Sequence, residues 1–281
     1  MIFISTGGFS QRTAYASCLE LYEYGIRNFE LSGGKPSISY LKDFKNFEKD
    51  ALFQVHNYFP PPKEPFVLNL ASLDEKIVHK SKEHILNSIK LCKVLGSKYY
   101  SFHAGFLIDP KVDELGKKVG LQKLNDRQKS LSLFIERVNE IDAYAQELNI
   151  EILIENNVIS KNNAIRFKSN PFLMANCQEC IEIMQNTSSN VNLLIDVGHL
   201  NVSSNSLNFS KEVFLKKCDK WIKGYHFSDN DGTSDSNLPI NTDSWFWPFI
   251  KKNLEYYSLE IYKHGPEVLK KQLEIAINKL I

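Results

Sequence analysis

Six short apolar runs in this chain each end on a side chain that can bind a metal ion. His56 ends Phe-Gln-Val-His, His103 ends Tyr-Ser-Phe-His, and Glu155 ends Ile-Leu-Ile-Glu. Asp196 ends Leu-Leu-Ile-Asp, His226 ends Lys-Gly-Tyr-His, and Glu260 ends Tyr-Ser-Leu-Glu; Glu30 has a similar place in an earlier run. A single charged strand terminus beside a solvated loop would need no further reading, since titratable side chains are mostly exposed. Four in succession ask for more. From Glu155 through Asp196 and His226 to Glu260 the intervals are 41, 30 and 34 residues, each about the length of one strand-helix unit with its loops. Three carboxylates drawn together would repel, and a divalent cation relieves that repulsion. Carboxylates with an imidazole suit Mn²⁺, Co²⁺, Fe²⁺ or Zn²⁺, and Mg²⁺ is also compatible. The expected cofactor is therefore one divalent cation on Glu155, Asp196, His226 and Glu260.

Residues so far apart converge only if the fold brings strand ends together. The strand candidates are Ile2–Ser5, Asn28–Leu31, Phe53–His56, Tyr99–His103, Ile150–Glu155, Leu193–Asp196, Ile222–His226 and Tyr257–Glu260. Most are continuous apolar runs, as strands covered on both faces should be. A further run, Phe66–Leu70, reads as loop leading into a helix. Helical periodicity follows a capping-box pattern at Ser72-Leu-Asp-Glu75 as far as Leu95, and recurs over Asp126–Leu148, Pro171–Met184 and Glu267–Ile281. Alternating strands and helices predict a parallel sheet, and eight such units predict its closure into a single-domain (β/α)8 TIM barrel over residues 1–281. An open doubly wound sheet is the alternative, but no GxGxxG follows a strand.

Bulk properties agree with one globular domain. The 281 residues are 43% hydrophobic and 24% charged, with a formal charge of +1, so no overall field draws the chain to nucleic acid or an anionic membrane. Five cysteines at irregular spacing argue against a disulfide framework. Cys177-Gln-Glu-Cys180 is a CxxC within a helical pattern and reads as packing. Neither a signal peptide nor a run of transmembrane length is evident, which makes the cytoplasm the expected location.

The strand-end motifs resemble those of the xylose isomerase-like barrels, the superfamily that includes sugar-phosphate isomerases and epimerases and endonuclease IV. The resembling segments are His56-Asn-Tyr, Ser101-Phe-His-Ala-Gly105, Ile154-Glu-Asn-Asn157, Ile195-Asp-Val-Gly-His199, His226-Phe-Ser-Asp-Asn-Asp-Gly232 and Leu259-Glu-Ile261. In the epimerase branch the resemblance puts metal ligands on Glu155, Asp196, His226 and Glu260. It puts proton transfer on Glu155 and Glu260, and substrate contact on His199. In the endonuclease branch, which uses three zinc ions, it puts first-site ligands on His56 and His103. There the third-site Asp-x-His falls on Asp235-Ser236-Asn237, where asparagine replaces the histidine and is a poor zinc ligand. The Gly-Glu-Gly common in the superfamily is replaced by Leu238-Pro-Ile-Asn-Thr-Asp243.

DNA binding needs many phosphate contacts, and with only five arginines and balanced charge nucleic acid is not the expected partner. A metal-dependent sugar isomerase or epimerase is preferred over a phosphodiester hydrolase or a non-catalytic sugar-binding barrel, which stay as alternatives. The expected partner is a small carbohydrate, and a homo-oligomer is compatible with the sequence. His56, His103, His199, Tyr58 and Phe106 are the expected substrate-binding residues, with Phe59 as a further pocket wall. Trp245-Phe246-Trp247 reads equally as a pocket cover, a subunit contact or core packing. No phosphate-binding glycine loop is evident.

Overall fold

A computed structural model describes residues 1–280; Ile281, the expected end of the last helix, lies outside the described residues. The strands are β1 (Ile2–Ser5), β2 (Asn28–Leu31), β3 (Leu52–His56), β4 (Tyr99–His103), β5 (Glu151–Glu155), β6 (Val191–Asp196), β7 (Ile222–Phe227) and β8 (Tyr256–Leu259). They pair in chain order, all parallel, and β8 closes on β1 to complete a barrel. The helices around it are α1 (Ala14–Glu23), α2 (Tyr40–Lys45), α3 (Glu75–Leu95), α4 (Arg127–Glu147), α5 (Lys161–Phe167), α6 (Cys177–Asn186), α7 (Val197–Leu207), α8 (Lys211–Cys218) and α9 (Pro266–Leu280).

The strands match the sequence expectation to within two residues at each end. Leu259 ends β8, so Glu260 stands one residue beyond it, tied to the neighbouring strand by its N–H to the Phe227 carbonyl at 3.0 Å. Phe66–Leu70 is loop, as expected. Two helix starts differ from the sequence reading. The cap of α3 is Asp74, whose carboxylate accepts from the Lys76 N–H, while Ser72 accepts from the Asp74 N–H one step earlier. Helix α6 begins at Cys177 rather than near Pro171, because Asn176 caps it and residues 171–173 run extended against the loop after β4.

Side chains alternate across each strand, so every second residue faces the barrel interior. The lower interior is an apolar plug of Phe3, Tyr99, Leu153, Leu194 and Tyr256. Two residues further along the same strands stand Ser5, Ser101, Glu155, Asp196 and Ser258. The interior thus turns from apolar to ionisable within one strand layer, at the end where active sites of this fold form. The outward residues pack beneath the helices in the main core, which includes Ile4, Phe29, Val55, Ile154 and Ile195. A register shift between β6 and β7 at Leu193/Leu194 restores alignment, so that Asp196 and His226 finish as neighbours. Cys177 and Cys180 on α6 are free thiols packed near Cys218 of α8, in keeping with the packing role expected of the CxxC.

Candidate metal centre

The barrel register aligns the polar strand ends before any side chain is considered. His103 pairs with Glu155, Asp196 with His226, His56 with Ser101, and Ser5 with Glu30. Glu155, Asp196, His226 and Glu260 each offer one atom to a group lying within 4.8 Å of one another, and all four are buried. His56, His226 and Glu260 form a second group of this kind, and His56, His103 and Glu155 a third. Glu155 is the hub. Its Oε2 lies 3.3 Å from His56 Nε2 and 3.4 Å from His103 Nδ1, and its Oε1 lies 3.3 Å from His199 Nδ1 and 3.5 Å from His226 Nδ1.

Hydrogen bonds around the cluster decide which atoms remain free. His226 Nε2 is 2.8 Å from Glu30 Oε2, which also accepts from the Tyr256 hydroxyl at 2.5 Å. That pairing puts the ring proton on Nε2 and leaves Nδ1 to face Glu155 and Glu260. Asp196 Oδ1 accepts from the His199 N–H at 2.7 Å as the cap of α7, and the Asn156 side chain brackets the Asp196 backbone. Ser5 donates to Glu260 Oε1 at 3.2 Å. Glu155 Oε1 and Oε2, Asp196 Oδ2 and His226 Nδ1 are buried without a hydrogen-bond partner. Buried polar atoms are rarely left so. Four such atoms, three of them carboxylate oxygens, converging on one spot are the donor set a divalent cation requires.

The electrostatics agree. Burial pushes the Glu260 carboxyl up to about 8, against the pull of His226 and with the help of Glu30, Glu155 and Asp196. Burial likewise raises Asp196 to about 6. Burial also acts on Glu30, but the charge and hydrogen bond of His226 outweigh it and hold that carboxyl at about 2. Desolvation lowers His56 to about 3. Ionising these buried carboxylates together is therefore costly, and a divalent cation would offset that cost.

Above the cluster opens a cavity of about 500 Å³, lined at its inner end by His103, His199 and Asp235 and further out by Tyr58 and Phe106. His199 Nδ1 bonds the Asn156 carbonyl at 2.9 Å, and its Nε2 lies 3.3 Å from Asp235. His56 is in the cluster rather than the cavity wall, its Nδ1 on Ser101 at 2.9 Å. Phe59 does not line this cavity: it is buried in the core, edge-on to Tyr40 and Phe44. Phe246 also belongs to the core, stacked on Phe227, and Trp245 lies under the Lys211 ammonium. Asn237 has a positive φ of 46°, which asparagine tolerates well, and its carbonyl accepts from Tyr262 N–H at 3.1 Å. Sequence reasoning noted Glu30 but gave it no role, and it missed Tyr256 and Ser5. Their partners lie on other strands, and only the alternation of inward-facing positions could have pointed to them.

The sequence profile of the xylose isomerase-like TIM barrel family matches residues 19–277. No curated protein matches the sequence. Among solved structures, a D-tagatose 3-epimerase-like protein is 20% identical, with a TM-score of 0.67 over 100% of this chain and 99% of that one. D-psicose 3-epimerase from Clostridium cellulolyticum H10, solved with D-tagatose, is 11% identical, with a TM-score of 0.66 over 99% of each chain. The 3-keto-D-glucoside 4-epimerase YcjR from E. coli is 10% identical, with a TM-score of 0.67 over 99% of this chain and 98% of that one. At these identities the likeness is one of fold.

Proposed function

The chain belongs to the xylose isomerase-like TIM barrel family, and from that premise we propose that it is a metal-dependent sugar isomerase or epimerase. The observation that carries this reading is the set of buried, unpartnered atoms on Glu155, Asp196 and His226, gathered beneath a cavity. With Glu260, these residues would hold one divalent cation. Bound there, the cation would supply a Lewis acid that makes the C–H beside a sugar carbonyl more acidic.

The proton then belongs to the chain's own carboxylates. Glu155 and Glu260 are the proposed proton carriers. Each has two oxygens, so one can face the cation while the other meets the substrate. Removal of the proton from one face gives an enediolate. Its return to the opposite face is epimerisation, and its return to the neighbouring carbon is isomerisation. Ser5 fixes the Glu260 carboxylate by donating to Oε1. His199 turns Nε2 toward the cavity and would orient a substrate hydroxyl, while His103 and Tyr58 border the sugar. His56, held by Ser101, supports Glu155 from the other side.

The test is proton exchange. In D₂O with Mn²⁺, a panel of ketoses and inososes followed by NMR should show deuterium entering a carbon beside the carbonyl. Glu155→Gln and Glu260→Gln should each slow it by about 10²–10⁴-fold, the usual weight of a general acid or base. Exchange that persists at full rate in both variants overturns the reading.

A further inference from the structure

The cavity is built for more than a sugar. His103, His199 and Asp235 make its inner end polar, and Glu114, Lys117, Lys118 and Asn162 also line it, but apolar atoms make up most of its exposed surface. Tyr58 and Phe66 face it from the loop after β3, Phe106 and Val119 from the loop after β4, and Phe172 from the segment before α6. At about 500 Å³ it falls in the range of roughly 300–1,000 Å³ that suits drug-sized ligands, and a monosaccharide would fill only its inner part.

This wall is the face of a separate hydrophobic cluster. Phe106, Ile108, Val119, Ile159, Phe167 and Phe172 pack together away from the main core, with Val67 against them. Phe106 and Phe172 meet edge-on, with ring centres 5.4 Å apart, across an isolated antiparallel bridge. Two buried asparagines fix the backbone beneath. Asn69 donates to the carbonyls of Phe106 and Ile108, and its own carbonyl accepts from the N–H groups of Ala71 and Phe106. Asn157 donates to Ala104, Gly105 and Leu173. Gly105 lets these segments touch, since a Cβ there would lie 2.4 Å from that of Ala71. The apolar wall is thus set before any ligand arrives, and it would bind an apolar group at little ordering cost.

We infer that the substrate is a glycoside that carries a ketone on a ring carbon other than the glycosidic one: its sugar reaches His103, His199 and Asp235, and an apolar, ring-bearing aglycone lies against Phe106, Phe172 and Val119. The inference rests on the sugar reading for the inner group and on the wall alone for the outer one. Aromatic walls favour a ring by stacking and edge contacts beyond simple burial.

Calorimetry on the metal-loaded protein compares 4-nitrophenyl β-D-glucoside with methyl β-D-glucoside. The aryl glycoside should bind about tenfold or more tightly, a gain that a modest buried apolar area provides. Phe106→Ala should remove most of the difference between the two glycosides. Because Phe106 is part of the cluster, the half-buried Phe66→Ala serves as a second variant, and ligand-to-protein NOEs from the nitrophenyl ring should fall on Phe106 and Phe172. Equal binding of the two glycosides overturns the inference, as does an aryl preference indifferent to both variants. Deuterium exchange separates the two readings. Exchange on free ketoses without any aryl preference overturns the inference alone; aryl preference without exchange on any sugar overturns the sugar reading and leaves the apolar wall assigned.

Discussion

Glu30 on β2 and His226 on β7 meet inside the barrel, with Oε2 of the carboxylate 2.8 Å from Nε2 of the imidazole. Three steps around the closed sheet separate their strands. The contact fixes which ring nitrogen carries the proton and so aims the other at Glu155 and Glu260. Glu30→Gln removes the charge and keeps the size. We expect metal affinity to fall about 10–100-fold, the usual effect of losing a partner that orients a ligating histidine. Metal titration followed by fluorescence or calorimetry measures it. Unchanged affinity would show that His226 is oriented without Glu30.

Metal should also stabilise the fold. Glu155, Asp196 and Glu260 repel one another at the barrel mouth, and a ligand that binds only the folded chain adds stability by mass action. Purified without chelator, the protein should carry about one equivalent of divalent metal, as one four-ligand site requires. Chelation should lower Tm, and Mn²⁺ at a hundred times Kd should restore about 2.7 kcal/mol. In Glu155→Gln combined with Asp196→Asn, Tm should no longer respond to the metal. A metal response intact in that double variant would rule this ligand set out.

His84 predicts an acid-sensitive step. It is buried on α3, its Nε2 3.1 Å from the Asn57 carbonyl, and Tyr58 and Phe66 pack on its ring. Burial lowers its pKa below the ordinary value of 6.5. The folded chain therefore keeps this ring neutral where the unfolded chain has begun to protonate it. Its contribution to stability is full above about pH 6.5 and is lost as pH falls from there toward the lowered folded value, by at most about 1.4 kcal/mol per pH unit. His84→Gln can keep the bond to Asn57 but cannot take up the proton. Urea melts from pH 7.5 to 5 should show a shallower loss in the variant than in the parent; identical slopes would mean that His84 does not titrate on unfolding.

Asn69 carries a further stability prediction. It is fully buried and joins the loop after β3 to the loop after β4 through both ends of its amide. Asn69→Ala would leave several backbone groups unpaired, at about 1–3 kcal/mol each before relaxation. We expect a net loss of roughly 3 kcal/mol and faster hydrogen exchange over residues 104–109. Exchange in the strands themselves should change only in line with global stability. A loss under about 0.5 kcal/mol, the scale of an ordinary surface change, would mean that water replaces the amide.

Much of this was legible in the sequence, and the reason is geometric. A parallel barrel strand is apolar until its last inward residue reaches the mouth, so the site is written at the ends of the runs. Glu155, Asp196, His226 and Glu260 could be named that way. Glu30, Ser5 and Tyr256 could not be given roles, because nothing local marks a residue whose partner lies several strands away. Tyr256 lies one residue before the expected run, among the plug side chains at the start of β8, and only its hydroxyl reaches Glu30. Phe59 misled for a similar reason: it follows a strand end as Tyr58 does, but consecutive side chains diverge, and Phe59 turns to Tyr40 and Phe44. The start of α6 was obscured because the 171–173 segment is held by pairing with Gly105 and Leu107, which lie more than sixty residues earlier.

Asp196 ends β6 and Val197 begins α7, with no residue between them. At every other strand that leads into a helix, a loop intervenes among the described residues. Barrel enzymes diversify by lengthening, shortening and exchanging such loops, which change what is recognised while the chemistry stays in place. Here one junction is closed to that kind of change. An inserted residue would turn the helix against the strand, pull the cap from His199 and rotate the carboxylate away from its neighbours at once. Remodelling of this barrel toward new ligands, natural or designed, is therefore left to the other loops that line the cavity, those after β3, β4, β5 and β7, with the β6–α7 junction as the fixed point against which they vary.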